Sequence, residues 1–427
     1  MSSVATTPGT TRPGRGPIPE LFTGGGPVRR ALWLALGALV LFSLARVISG
    51  EQALTSSETF SAALLLAVPI GLAALGGLFS ERAGVVNIGL EGMMILGTWG
   101  AGWAGYQWGW GAAALAGLLF GALGGLLHAV VTVTFGVDHV VSGVAINILA
   151  AGIVRFLSEL LYIDNAAGGG AAQSPPMSSR PPEFSLPVLS SGPDLLGDLE
   201  SLHWFLISDL AGLLRGLTSH VGVLTLVAVL LVPVSYLVLW RTAFGLRLRS
   251  CGENPAAADS LGVPVYRFKY IAVLISGALA GLGGVFLVFL ANIYREGQTG
   301  GRGFIGLAAL IFGNWRPGGL AAGAGLFGFA DALQLRSRTA VVALLLLVAL
   351  ILAGVAIWQA VRGRILPAVV AAVFAALSLV GFLTIDVLPQ GIVSFTPHLT
   401  TLLVLSLASQ HLRMPAADGL VYRRGEH

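Results

Sequence analysis

The sequence predicts an all-α, polytopic membrane helical bundle of about 10–12 transmembrane segments, each of the ~20 apolar residues that cross a bilayer as a helix. Three observations predict it. Only 10% of the 427 residues are charged and 55% are hydrophobic, with a mean hydropathy of +0.85, whereas a soluble domain carries about 25% charged residues. Uncharged runs recur along the whole chain. The 59 glycines include pairs four apart, such as Gly121 and Gly125, Gly277 and Gly281, and Gly319 and Gly323, a spacing that lets membrane helices approach closely.

Composition also narrows the chemistry. The single cysteine, Cys251, excludes an internal disulfide framework. The seven histidines form no pair at metal-ligand spacing, so neither a metal site nor a cofactor is expected. No Gly-x-x-x-x-Gly-Lys-Ser/Thr run occurs, so the chain is not expected to hydrolyse ATP itself and is not read as an enzyme. The basic excess is arginine, with Lys269 the sole lysine, and it clusters at helix ends. That pattern is topology information rather than a nucleic-acid patch.

In chain order, residues 1–28 are rich in Pro, Gly and Thr and read as a disordered cytoplasmic tail without a cleavage site. The remainder, 29–427, reads as one transmembrane domain. Hydrophobic segments fall at about 31–49, 60–79, 88–105, 111–135, 139–162, 221–240, 269–291, 303–314, 317–335, 339–361, 365–386 and 398–412, with 303–314 short enough to be a half-span. Arg12, Arg15, Arg29 and Arg30 place the N-terminus inside. Six crossings later, Arg241, Arg247, Arg249 and Arg267 place 241–268 inside as well. The 163–220 loop then lies outside, with Asp164, Glu183, Asp194, Asp198, Glu200 and Asp209 against Arg180 and Arg215. Arg362, Arg364, Arg413, Arg423 and Arg424 fall inside, so both termini are expected in the cytoplasm. Arg336 and Arg338 fall outside against the pattern. Within the outer loop, leucines 195, 199, 202, 206, 210, 213 and 217 predict an amphipathic helix on the membrane surface.

Ser80–Met94 puts Glu81, Arg82, Asn87 and Glu91 between two apolar segments. Polar groups at membrane depth face a bundle interior or a water-filled route, and irregular backbone there must be buried in protein or line a cavity. The stretch therefore predicts a broken helix beside a pathway. Asn87, Glu91, Thr98 and Asn147 are the candidate route residues, Asn87 and Glu91 sharing a helix face. Trp99 and Phe304 are aromatic candidates beside them for stacking on a planar solute. The competing reading is that the asparagines join helices, at ~0.6–1.7 kcal/mol each. Glu81 with Arg82, and Arg155 with Glu159, read as pairs near the two membrane faces.

Two internal echoes suggest an inverted repeat. Residues 71–79, GLAALGGLF, resemble 278–286, ALAGLGGVF, and Ile88-Gly-Leu90 resembles Ile305-Gly-Leu307. The copies run in opposite directions in the topology above, which places a solute route at their interface. Residues 241–268 carry Asn254-Pro255, a capping residue followed by proline at a helix start. A short helix over 255–261, ended by Gly262, follows. It reads equally as a capped loop or as a docking element. Gly301-Arg-Gly-Phe-Ile-Gly306 spells a dinucleotide pattern but lacks the preceding strand that pattern needs.

Residues 80–94, the loop Gly252-Glu-Asn-Pro-Ala-Ala, the run Gly301–Pro317, and the ending Pro397-His-Leu-Thr-Thr-Leu, Arg413-Met-Pro-Ala-Ala and Tyr422-Arg-Arg-Gly-Glu426 together resemble one family. It is the inner-membrane permease subunits of bacterial ABC importers for nucleosides, within the simple-sugar and branched-chain amino acid permease superfamily. The resemblance covers about 60–336 and 393–427. It implies a bacterial cell membrane, a heterodimer with a second permease subunit, cytoplasmic ATPase subunits and an external substrate-binding lipoprotein. It also implies that 252–262 is the coupling helix, with Gly252, Glu253, Asn254, Pro255 and Ala258 meeting the ATPase, and that Arg247 and Arg249 face the partner or lipid phosphates. The chain departs from the family at Ser250-Cys251, in the extra block 339–386 and in its longer N-terminus. A stand-alone secondary transporter or channel for a small polar solute is the other reading, motivated by the repeat and by Glu91.

Overall fold

The computed structural model describes residues 27–425, apart from 164, 166, 187, 188, 190, 191, 337 and 386–411. The predicted tail 1–28, but for its last two residues, and the twelfth hydrophobic segment, 398–412, but for Leu412, lie outside the described residues, as does the Pro397 motif. Every other predicted segment meets a helix. They are α1 (Pro27–Ser49), α2 (Ser57–Arg82), α3 (Leu90–Trp108), α4 (Trp110–Ala129, continued by a π turn Val130–Thr134) and α5 (His139–Tyr162). After the long loop come α6 (Leu195–Ser201), α7 (Ile207–Thr218), α8 (Val223–Arg241), α9 (Ala243–Glu253) and α10 (Pro255–Ser260). The chain continues as α11 (Val265–Ala291), α12 (Arg302–Phe312), α13 (Pro317–Arg336), α14 (Arg338–Val361) and α15 (Ile365–Thr384). A two-residue ribbon, β1 (Glu183–Phe184) with β2 (Val221–Gly222), closes the base of the long loop.

Among the described residues, seven helices are long and apolar enough to cross a membrane. The fold is thus an all-α polytopic membrane bundle. The short 303–314 segment is α12, an 11-residue half-span. Local chemistry sets several helix starts. Ser56 accepts the Thr59 N–H at the head of α2, and Asp138 accepts the N–H groups of Val140 and Val141 at the head of α5.

α2 and α11 form the centre. α2 packs on α11, α12 and α13, while α11 packs on α4 and α3. The α4–α11 seam is made of glycine: a Cβ on Gly121 would come within 2.3 Å of the Gly277 carbonyl oxygen, and one on Gly281 within 2.4 Å of Gly117 O. Only backbone-to-backbone contact is possible along this seam, which is how membrane helices pack in the absence of a hydrophobic drive. The extra block forms a hairpin, α14 resting on α1 and α13 and α15 packing on α14.

Two expectations are corrected. The leucine run 195–217 is two helices, α6 and α7, because His203 and Leu206 both take positive φ. The turn brings Asp209 onto the buried Arg46, Oδ1 lying 2.7 Å from Nε, and Asp209 also accepts the Leu206 N–H. Glu81 and Arg82 do not form an isolated pair; Trp315 holds both, as described below. Arg336, against the charge pattern, pairs at 2.9 Å with Glu58 at the head of α2 and so lies at the long-loop end.

Candidate translocation route and coupling face

α2 ends at Arg82 because Gly84, at φ +81°, turns the chain back, and α3 begins only at Leu90. The intervening residues 83–89 would leave backbone groups unpaired at membrane depth. Side chains satisfy them. Asn87 Oδ1 accepts the Gly89 N–H at 3.1 Å while its Nδ2 donates to Ser276 Oγ at 2.8 Å. Asn147 Nδ2 donates to Ile88 O at 3.1 Å and its Oδ1 accepts the Gly92 N–H at 2.7 Å. The second break, 292–301, ends in Gly300 and Gly301 at positive φ and opens α12.

The two breaks meet at Glu91. Its carboxylate oxygens accept the N–H groups of Gly301 at 3.0 Å and Gly303 at 2.7 Å. Glu91 sits in the first turn of α3 and caps the first turn of α12, so one carboxylate faces the positive ends of two helices. The meeting point is at mid-depth: Gly306, one turn into α12, lies against Ile70, Ala73 and Ala74, halfway along the 26-residue α2.

The segments that echo each other in sequence pack crosswise. Gly77 of the first lies under Leu307 and Leu310 of α12, while Gly284 of the second lies against Met94 and Thr98 of α3. Asn87 and Asn147 both bond the backbone of the first break and the start of α3, Glu91 bonds the start of α12, and Thr98 lies two turns further along α3. Asn87, Glu91 and Thr98 are buried and Asn147 partly so. Thr98 Oγ1 donates to Ile95 O at 2.6 Å, within its own helix. Trp99 is buried, donating to Ser158 Oγ at 3.0 Å, and Phe304 is exposed on α12. Ser276, Gly301 and Gly303 complete the arrangement; Gly301 and Gly303 stand in the motif run Gly301–Pro317, whereas no sequence signal singles out Ser276. A cleft of about 700 Å³ between α2, α8 and α13 is lined by apolar side chains such as Leu72, Pro233 and Leu320, and none of the four candidates lines it.

The other candidate element is the α9–α10 corner. Asn254 Oδ1 accepts the Ala257 N–H at 3.0 Å, Pro255 takes the first position of α10, and Gly262 follows at φ +82°. Glu253 and Asn254 are exposed, whereas Gly252 and Ala258 are buried against the bundle. Gly252 packs on the end of α2, where a Cβ would come within 2.4 Å of Arg82 O. Sequence patterning reads α9 as loop. Its signal is Thr242, whose hydroxyl caps it by accepting the Gly245 N–H at 3.1 Å. Arg247 is exposed, but Arg249 turns inward, donating to Leu239 O at 2.9 Å and lying over Trp240.

Arg82 and Trp315 join this corner to the first break and to the turn between α12 and α13. Arg82 donates twice to Trp315 O, at 3.2 and 2.7 Å, and its Nη1 lies 3.8 Å from Glu253 Oε1. Trp315 Nε1 donates to Glu81 at 2.5 Å. At the long-loop end, Arg155 pairs with Glu159, as expected from their spacing, and also with Glu296. Among the described residues no cluster of three or more His, Cys, Asp or Glu could hold a metal.

Comparison with known proteins places this architecture. Residues 59–355 match the family model described as the branched-chain amino acid transport system / permease component. The guanosine ABC transporter permease protein NupQ of Bacillus subtilis is 42% identical over 282 residues, 64% of this chain and 81% of that protein. The nucleoside ABC transporter permease protein NupC of Lactococcus lactis is 31% identical over 368 residues, 84% of this chain and 94% of that one. A putative glucose ABC transporter permease protein of Haloferax volcanii, TsgC13, is 34% identical over 279 residues, 64% and 75% respectively. No solved structure matches. The chain therefore belongs to the family of branched-chain amino acid transport system permease components.

Proposed function

We propose that the chain is the membrane-spanning subunit of an ATP-binding-cassette importer that moves nucleosides, or related simple sugars, inward. The observation that carries this reading is the junction of α9–α10 with the first helix break and the α12–α13 turn through Arg82 and Trp315. A push on that corner reaches the ends of α2 and α12 directly, and through α12 the Gly301 and Gly303 N–H groups that Glu91 holds. The relatives that the chain covers over most of their length, named as guanosine and nucleoside permeases, support the cargo.

The ATPase would dock on Glu253, Asn254, Pro255 and the exposed face of α10, with Gly252 and Ala258 seating the corner from behind. Arg241, Arg247 and Arg267 put this end in the cytoplasm by the positive-inside rule. A second permease subunit and an external substrate-binding lipoprotein would complete the assembly, in a bacterial cell membrane. Asn87, Glu91, Thr98 and Asn147 would form the wall of a transient passage, not a tight site, because their hydrogen bonds already serve the wall itself. A passing nucleoside offers ribose hydroxyls and base edges for brief exchange with them. Proton or sodium coupling at Glu91 is disfavoured, since its carboxylate is held by two backbone N–H groups.

The test is uptake in cells carrying the intact system, with labelled guanosine challenged by a panel of nucleosides, ribose and glucose. Loss of the uptake on deleting the chain, with competition by nucleosides, is the expected result. Unchanged uptake of every panel member in the deletion strain would refute the assignment.

A further inference from the structure

The C-terminal segment crosses the whole face on which α9 and α10 lie, touching every loop there that the proposed transport cycle would move. Arg413 N–H donates to Asn314 Oδ1 at 2.7 Å, at the turn between α12 and α13. Ala416 N–H donates to Glu253 Oε2 at 3.3 Å, and Ala417 N–H to Gly252 O at 2.8 Å. Gly84, Gly252 and Ala417 cross at one point: a Cβ on Gly84 would lie 3.2 Å from both Ala417 O and Gly252 Cα. Further along, Tyr422 stacks near Tyr266 and its carbonyl accepts the Tyr266 hydroxyl at 3.4 Å, and Arg424 lies 3.2 Å from Asp259 on α10.

Asp418 is the buried centre of this path, 7% exposed; among the described residues neither carboxyl oxygen has a partner in strict hydrogen-bond geometry, the Gly419 N–H lying nearby. The group facing it from α2 is the carboxyl of Glu81; Lys269 of α11 and Arg82 of α2 are the nearby cations, and the Cys251 thiol of α9 lies beside Lys269. Two buried carboxyls in contact cannot both be ionised, and a shared proton turns their repulsion into a hydrogen bond. Burial, then the charge of Glu81, push the Asp418 carboxyl up to about 9.

We propose that residues 412–424 form a strap that makes the α9–α10 corner, the first helix break and the α12–α13 turn move as one body, with Asp418 as the positioning residue that seats the strap on Glu81. This rests on the reading of 252–260 as the ATPase-facing corner, and it adds the part that carries the motion inward. Without the strap, the corner keeps its Arg82 contact to Glu253, a partly exposed pair at 3.8 Å, as its main side-chain tie to the first break.

The experiment uses the intact transport system, with uptake of whichever labelled nucleoside of the panel the unaltered system imports, and ATP hydrolysis measured on the same purified complex. The variants are Asp418→Ala, Asp418→Asn, a chain ending at Leu412, and a chain with 253–258 scrambled. Asp418→Ala and the shortened chain should lose uptake about tenfold while hydrolysis persists, the scale on which coupling networks respond to a cut. Asp418→Asn should import normally, because its amide donates to Glu81 without a shared proton. If the shortened chain does not assemble, Asp418→Ala, which keeps the whole chain, decides. Normal import by Asp418→Ala while the scrambled corner is inactive would overturn the strap and leave the corner's role standing. Equal loss in Asp418→Asn would overturn the shared-proton seat. Normal import by the scrambled chain would remove the coupling reading itself, and the strap's role with it.

Discussion

The Glu91 carboxylate accepts the Gly303 N–H at 2.7 Å, joining residues 212 positions apart. Each partner lies in the first turn of a helix, α3 and the short α12, so the contact ties together the starts of the two helices. Glu91→Ala would leave the Gly301 and Gly303 N–H groups buried without an acceptor, at ~1–3 kcal/mol for each orphaned group. The expected outcome is a lower thermal midpoint in detergent and loss of uptake. Glu91→Gln keeps one acceptor oxygen and should fall between the alanine variant and the parent.

The glycine seam allows a matched comparison. A Cβ on Gly97 would come within 2.4 Å of Gly281 Cα, and one on Gly121 within 2.3 Å of Gly277 O, whereas one on Gly111 or Gly152 meets nothing within 4 Å. Gly97→Ala and Gly121→Ala should each cost ~1–3 kcal/mol through overpacking and lower the yield of folded protein. Gly111→Ala and Gly152→Ala should leave yield and midpoint unchanged. The readout is fluorescence-detected size exclusion with a thermal ramp.

Arg46 and Asp209 form a buried pair that fastens α7 to the end of α1, 2.7 Å between Nε and Oδ1. Removing one member strands the other, typically at ~3–5 kcal/mol, while replacing both by apolar groups of similar size is tolerated. Asp209→Ala should therefore expose α7 to limited proteolysis. The double change Arg46→Met with Asp209→Leu should restore resistance.

The seat of Asp418 carries a pH signature. Its carboxyl binds a proton more tightly docked, at about 9, than when released to water, where an aspartate sits near 3.8. Docking is therefore strongest below the free value and weakens progressively as pH rises toward 9. Hydrogen exchange at the Ala417 N–H, corrected for intrinsic rate, should speed up between about pH 6 and about pH 9 in the parent, the upper part of that window. In Asp418→Asn it should stay flat.

What was legible in the sequence was local. The polar break at 83–89, the half-span at α12, the cap at Asn254 and the doubled Gly-Gly motif each declare themselves within a few residues. The partners that define the site are distant in sequence: Glu91 with Gly303, Glu81 with Trp315 and Asp418, Arg46 with Asp209. No periodicity reports such pairings. The leucine run 195–217 keeps helical spacing through a turn at His203 and Leu206, neither of which is a turn-forming type. α9 escapes a sequence reading because arginines at 247 and 249 look like loop charge, although Thr242 marks its start.

Reconstitution into proteoliposomes tests the central claim most directly. The chain would be assembled with its ATPase, second permease and binding protein, with ATP enclosed on the ATPase side and labelled nucleoside supplied on the other. Transport that requires every subunit and hydrolysable ATP, and ignores proton and sodium gradients, is the predicted result. Uptake by the chain alone, driven by either gradient without ATP, would contradict the account.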